Sequence, residues 1–238
     1  MPARRRDAMI ADKLAQVHAR IASACEAAGR PVESVTLLAV SKTFDADAVA
    51  AAHAAGQRLF GENYVKEALA KIAALADLVP RPEWHLIGPP QSNKTRVVAE
   101  SFDWVHAIDR LQLAERLSAQ RPPTLLPLSV CLQVNVSGEA TKSGVAPAAL
   151  APLAHAVAAL PGLRLRGLMA IPAPAVGLDA QRAPHRILRG CFESLRAGGL
   201  ALDTLSAGMS DDLEAAILEG ATMVRIGSAI FGHRAAGP

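Results

Sequence analysis

One lysine and one arginine carry most of the chemical interest of this chain. Lys42 stands two residues past a short apolar run, Val35-Thr36-Leu37-Leu38-Ala39-Val40, in the sequence Val40-Ser41-Lys42-Thr43. A lysine taken alone reads most simply as a solvated surface cation. At the end of a buried strand, however, withdrawal from water lowers the basicity of the amine and makes it a nucleophile that forms Schiff bases with carbonyl groups. Lysine is also scarce, with Lys13, Lys42, Lys66, Lys71, Lys94 and Lys142 the only six among 25 cationic residues. Arg225 is embedded in Met223-Val224-Arg225-Ile226-Gly227. Period-two alternation places Val224 and Ile226 on one face and Met223, Arg225 and Gly227 on the other. With the apolar face packed on helices, the guanidinium points inward and requires an acceptor, either a structural carboxylate or a ring nitrogen of a ligand.

Two nearby loops suit an anion. Ser206-Ala207-Gly208-Met209-Ser210 precedes Asp211-Asp212-Leu213-Glu214, and Gly227-Ser228-Ala229-Ile230-Phe231-Gly232 follows the arginine strand. Small residues let backbone N–H groups approach a phosphate, and a helix N-terminus favours negative charge. Asp211 and Glu214 read as helix-capping residues.

The elements that must position these groups alternate along the chain. Strands are expected at 35–40, 58–60, 84–87, 104–107, 129–134, 165–169, 204–206 and 223–226. Helices are expected from about 45 to 56 and at 65–75, 95–101, 111–119, 148–159, 181–196 and 211–218, and Pro172–Leu178 reads as a rim loop. Eight apolar strands separated by helices predict an α/β fold, a (β/α)8 barrel of the TIM type, whose chemistry belongs at the strand C-termini. Ile10, Leu14, Val17 and Ile21 recur at helical spacing, so residues 1–30 are expected to add an N-terminal helix packed on the barrel, within one domain spanning 1–238. Arg4, Arg5 and Arg6 read as a frayed, solvated terminus.

Composition narrows the function. With 51% hydrophobic and 20% charged residues the chain buries a core, and with 3% aromatics it lacks the stacking surface of a single-stranded nucleic-acid binder. Cys25, Cys131 and Cys191 are odd in number and widely spaced, which fits a reducing compartment, and no apolar run approaches a membrane span. A cytoplasmic protein with no nucleic-acid or membrane partner is expected. The seven histidines form no H-E-x-x-H pattern, and no nucleotide-binding glycine motif occurs, so neither a metal nor a nucleotide is expected. His85 and His106 read as satisfied core histidines, and Lys142 as a solvated loop lysine.

A lysine, an inward arginine and a two-loop phosphate cradle in one barrel mouth fit pyridoxal phosphate (PLP). The blocks Val40-Ser41-Lys42-Thr43, Phe60-Gly61-Glu62-Asn63-Tyr64-Val65, Trp84-His85-Leu86-Ile87-Gly88, Gln91-Ser92-Asn93-Lys94, Gln133-Val134-Asn135-Val136 and Gly167-Leu168-Met169-Ala170-Ile171-Pro172, with the two C-terminal loops, run in order from about residue 35 to 234. Together they resemble the PLP homeostasis proteins, whose fold is similar to the N-terminal domain of alanine racemase. The resemblance implies that Lys42 holds the cofactor as a Schiff base and that Arg225 faces the pyridine nitrogen. It also implies phosphate contacts from Ser206, Gly227 and Ser228, with the amides around Gly208 and Met209 in addition, and Asn63 beside the ring. Phe44-Asp45-Ala46, Pro90, Ala207 and Ser228 depart from the family pattern; Ser228 keeps the hydroxyl of the usual threonine.

An arginine at the ring nitrogen discourages its protonation and weakens the electron sink, which suits a holder of cofactor better than a fast transaminase. The expected function is thus PLP binding and homeostasis without catalytic residues, in a monomer that passes the cofactor to apo-enzymes. A PLP-dependent racemase is the alternative. It needs a second proton-transfer group opposite the lysine, in alanine racemases a tyrosine of a separate C-terminal domain, whereas this chain ends at Pro238 and holds one tyrosine, Tyr64. A class I aldolase, whose lysine usually sits on a later strand, is weaker still.

Overall fold

A computed structural model describes residues 3–138 and 143–232, so Lys142 lies outside the described residues. Eight parallel strands close into a barrel in sequence order: β1 (Thr36–Val40), β2 (Leu59–Glu62), β3 (Glu83–Leu86), β4 (Trp104–Ile108), β5 (Leu128–Gln133), β6 (Leu163–Met169), β7 (Thr204–Ser206) and β8 (Met223–Ile226). The barrel closes where β1 pairs with β8, Leu38 opposite Arg225. β2 lies further along the chain than its apolar run suggests, because Gly61 and Glu62 continue the pairing with β3. This makes Glu62 a strand residue and leaves Asn63 at the strand's exit.

Helices fill the crossovers: α2 (Ala46–Ala54), α3 (Val65–Ala74), α4 (Thr95–Ser101), α5 (Leu111–Gln120), α6 (Pro147–Ala158), α7 (Leu178–Ala197), α8 (Leu213–Leu218) and a single turn, α9 (Ser228–Phe231). Asp45 caps α2 by accepting the Ala48 N–H at 2.8 Å. The last crossover is too short to cover β8, and α1 (Ala3–Ala27) fills that side by packing against α2, α8 and α9. Its stripe of Ile10, Leu14, Val17 and Ile21 is buried, each side chain contributing about 1.5–3 kcal/mol if wholly removed from water. The frayed terminus expected at Arg4–Arg6 is not found. The helix already runs through these positions, and Arg6 pairs with Asp45 at 3.1 Å and Asp47 at 3.3 Å.

Side chains sort into two layers. Residues such as Leu37, Ala39, Phe60, Trp84, Val224 and Ile226 face the helices in one large core. Inside the barrel two small apolar groups, Leu38, Val40, Ile87 and Met223 and then Trp104, Ala107, Cys131 and Met169, leave room for polar side chains. A bulge in β4 between Val105 and Ile108 inserts one extra residue, so His106 and Ala107 both turn inward. Among the described residues, no helix is long and apolar enough to cross a membrane.

Candidate functional site

At the C-terminal mouth, Lys42 leaves the end of β1 and is exposed. The water-withdrawn setting anticipated for it is not found. Its base is fixed instead of its tip. Ser41 Oγ donates to Glu62 Oε1 at 2.6 Å, and Lys71 Nζ from α3 donates to the same oxygen at 2.6 Å and to the Ser41 carbonyl at 2.7 Å. Burial pushes the Glu62 carboxyl above its ordinary value, and the bonds from Lys71 and Ser41 oppose that rise. Thr43 follows at φ +68°, a left-handed backbone that a β-branched residue adopts only under strain, with its N–H on Glu67 Oε2 at 3.2 Å. A buried ion pair thus sits under the lysine loop, and a strained residue bends the chain away just past it.

Arg225 points into the barrel, as alternation predicted, and is 3% exposed. No carboxylate accepts from it; the acceptors within the protein are two carbonyls and one hydroxyl. Nη1 donates to the Ser206 carbonyl and to Ser206 Oγ (2.8 Å), and Nη2 to the Ala170 carbonyl at 2.8 Å, so the C-terminal ends of β6 and β7 hold it. Burial brings the guanidinium down to about 10, with Asp212 and Cys131 acting against the drop, so it stays charged at neutral pH. Three of its five donors are engaged, which leaves donors for a ligand.

The two loops after β7 and β8 come together. Ser228 Oγ lies 3.2 Å from Ser210 Oγ, and Arg20 of α1 donates to the Ser210 carbonyl at 3.0 Å. Gly208 has φ +93°, and a Cβ there would sit 2.7 Å from Ala216 Cβ; a Cβ on Gly227 would press to 3.2 Å from the Val40 carbonyl. That contact places the Gly227 turn beside the strand that delivers Lys42. Asp211 and Glu214 are not caps. Asp212 occupies the N-cap of α8, accepting from Met209 N–H at 2.6 Å and facing His185 Nε2 at 2.9 Å, while Glu214 pairs with Arg20. Burial alone would raise the Asp212 carboxyl, but the bonds from His185 and Met209 lower it below the ordinary range. The Met209 amide is therefore occupied. So is Ser206 Oγ, wholly buried between Arg225 and His106, which leaves Ser210, placed in the loop by the sequence but not singled out as a contact, and Ser228 as the hydroxyls facing the cradle. Asn63 stands at the mouth with Oδ1 buried and without a partner, its backbone packed so closely on Gly88 that a Cβ there would fall 2.4 Å from the Asn63 carbonyl.

Sequence reasoning passed over two features. Lys71 is only counted among the six lysines; the extension of β2 to Glu62 shows why it is buried. His85 and His106 are satisfied, as expected, but by each other: His85 Nδ1 lies 2.9 Å from His106 Nε2.

A parallel eight-stranded barrel with these groups at its C-terminal mouth is of the alanine racemase type, and the family described as "Alanine racemase, N-terminal domain" matches residues 13–235. Two relatives carry the name pyridoxal phosphate homeostasis protein. That of Pseudomonas aeruginosa is 63% identical over 225 residues, covering 94% of this chain and 96% of the relative. That of Escherichia coli K12 is 56% identical over 226 residues, covering 94% and 97%. The chain belongs to this pyridoxal phosphate homeostasis protein family. Among solved structures, PipY of Synechococcus elongatus with PLP bound aligns with a TM-score of 0.83 at 39% identity, over 94% of this chain and all of that one. Alanine racemase of Corynebacterium glutamicum aligns at 0.69 with 19% identity, over 98% of this chain and 63% of that one, and shares the fold.

Proposed function

We propose that this protein binds PLP at the C-terminal mouth, holds it as a Schiff base on Lys42, and serves cofactor homeostasis by passing it to apo-enzymes, without strong turnover of its own. The observation that carries the reading is Arg225, a buried cation with no carboxylate in contact and donors to spare, in the same mouth as an exposed lysine. The residues fit the group. Lys42 supplies the amine, Arg225 a donor toward the pyridine nitrogen, Gly208 and Gly227 open backbone, Ser210 and Ser228 hydroxyls toward the phosphate, and Asn63 an unpartnered oxygen beside the ring. When bound, PLP supplies an aldehyde that condenses with an amine and a ring that withdraws electrons. An arginine keeps the ring nitrogen unprotonated, because a guanidinium donates and does not accept. Tyr64, the only tyrosine in the sequence, is 55% exposed, which is no place for the second base a racemase needs.

Borohydride reduction of the protein incubated with PLP, followed by peptide mapping, tests the reading. A phosphopyridoxyl group on Lys42 is expected; its absence with excess PLP would overturn the assignment. Amino-acid turnover assays on the loaded protein then separate carrier from racemase.

A further inference from the structure

A line of hydrogen bonds threads the barrel from one mouth to the other. Glu83 Oε1 lies 3.0 Å from His85 Nε2, His85 Nδ1 lies 2.9 Å from His106 Nε2, His106 Nδ1 lies 2.9 Å from Ser206 Oγ, and Arg225 Nη1 lies 2.8 Å from the same Oγ. The link from His106 to Ser206 spans the interior, since β4 and β7 are not neighbours in the sheet. Both imidazoles and Ser206 are fully buried. Alternation from inward Trp104 and outward Val105 aims His106 across the barrel, and His85 is stacked on Trp104 with ring centroids 5.2 Å apart.

The two ends fix the direction of every bond. A guanidinium only donates and a carboxylate only accepts. Arg225 therefore gives a proton to Ser206 Oγ, Ser206 gives its own to His106 Nδ1, His106 Nε2–H points at His85 Nδ1, and His85 Nε2–H points at Glu83. Each neutral imidazole has one donor and one acceptor, so this single arrangement satisfies all five groups with both protons on Nε2. Burial favours the neutral rings and holds both below the ordinary histidine value; His85 and Arg225 add to this at His106, while Glu83 opposes it at His85.

We propose that Glu83, His85 and His106 are positioning residues which, through Ser206, set the orientation and donor strength of Arg225 from the opposite mouth of the barrel. This rests on the PLP reading for its consequence, though not for its geometry. Aligned hydrogen bonds polarise one another in a low-dielectric interior. The carboxylate at one end makes Ser206 Oγ a stronger acceptor and keeps the Arg225 N–H turned toward it. Glu83 has 42% of its side chain exposed and lines a cavity of about 660 Å³ at the N-terminal mouth, with Arg166 and Asp203 nearby. What occupies that cavity is thereby coupled to what Arg225 meets at the other end, and the coupling is reciprocal.

Long-range proton–nitrogen spectra of the 15N-labelled protein without ligand test the arrangement. Both rings are expected as Nε2–H tautomers, and Glu83→Gln is expected to move the guanidinium resonances of Arg225. An Nδ1–H or doubly protonated ring, or Arg225 resonances unmoved by Glu83→Gln, would overturn the proposal. In the protein loaded with PLP, His106→Leu is expected to shift the visible absorption band and speed release about five- to tenfold, the scale of one hydrogen bond between neutral groups. His106→Gln keeps one acceptor and one donor and is expected to return the band toward that of the unmodified protein; failure of this rescue would reduce His106 to a packing residue. Glu83→Gln at a half-exposed site preserves the fold should His106→Leu unfold. If unmodified protein takes no PLP on Lys42, the cofactor reading falls, while the tautomers and the Arg225 resonances still decide the line.

Discussion

The two mouths of the barrel treat their cations differently. At the N-terminal mouth Arg81 pairs with Asp103 at 3.0 Å, Arg166 pairs with Asp203 at 2.8 Å and lies over the Trp104 ring, and Arg121 donates to the carbonyls of Ala99, Phe102 and Leu126. At the C-terminal mouth Lys42 has no hydrogen bond or ion pair among the described residues, and Arg225 is buried on carbonyls and one hydroxyl with no carboxylate against it. The contrast repeats within the C-terminal mouth. Lys71 and Lys42 belong to neighbouring β/α units, yet Lys71 is buried on Glu62 and Lys42 is open. At the N-terminal mouth Arg81 and Arg166 are matched by carboxylates, whereas Lys42 and Arg225 at the other mouth have none in contact, and it is there that PLP is proposed to bind.

Breaking the unmatched side is expected to have the largest effect. Lys42→Ala should abolish the reducible PLP adduct while leaving stability within about 0.5 kcal/mol, the usual range for a surface change; borohydride trapping and urea unfolding read both. Lys71→Met inverts the pattern, since it strands Glu62 in the interior, and should cost about 3–5 kcal/mol in urea unfolding. Arg225→Ala should cost about 1–3 kcal/mol, because the Ser206 and Ala170 carbonyls lose their donors. It should still leave Lys42 able to form an adduct that dissociates faster than in the unmodified protein, as dialysis would show.

The smallest effect belongs to the matched end. The bond from Arg166 to Asp203 counters the rise that burial would cause, and with Thr204 it holds that carboxyl below its ordinary value, as the bonds from His185 and Met209 do for Asp212 in the other mouth. A lowered carboxyl stabilises the folded chain above its unfolded pKa. That stabilisation is lost as pH falls from about 4 through the lower folded value. Asp203→Asn should therefore flatten the acid limb of a thermal-unfolding series, change neutral stability by no more than about 1 kcal/mol, and leave PLP trapping unaltered. A loss of trapping in that variant would mean that Asp203, which has no place in the line from Glu83 to Arg225, also acts on the C-terminal mouth.

Local periodicity made the barrel legible. The apolar strand runs, the alternation that turns Arg225 inward and the stripe of α1 all follow from spacing, and the structure places them accordingly. What spacing could not show is which polar partners meet across the barrel. The extension of β2 to Glu62 depends on pairing with β3, and the Ser206 hydroxyl that His106 meets comes from a strand on the far side of the barrel, so neither is written in its own segment. Ser206 illustrates the same limit. Its position at the end of a short strand suits a phosphate cradle, but its hydroxyl meets Arg225 and His106. Reading Asp211 and Glu214 as caps failed for a related reason, since the turn at Gly208 delivers Asp212 to the helix start instead.

The way α1 closes the barrel also bears on synthesis. This helix is made before every strand of the barrel, yet two of the helices it packs on, α8 and α9, follow the seventh and eighth strands. The stripe of Ile10, Leu14, Val17 and Ile21 therefore lacks part of its cover until the whole barrel has been made, and over that interval it is exposed to aggregation or chaperone capture. The helix that seals the finished molecule is the one that cannot dock until nearly all of it exists.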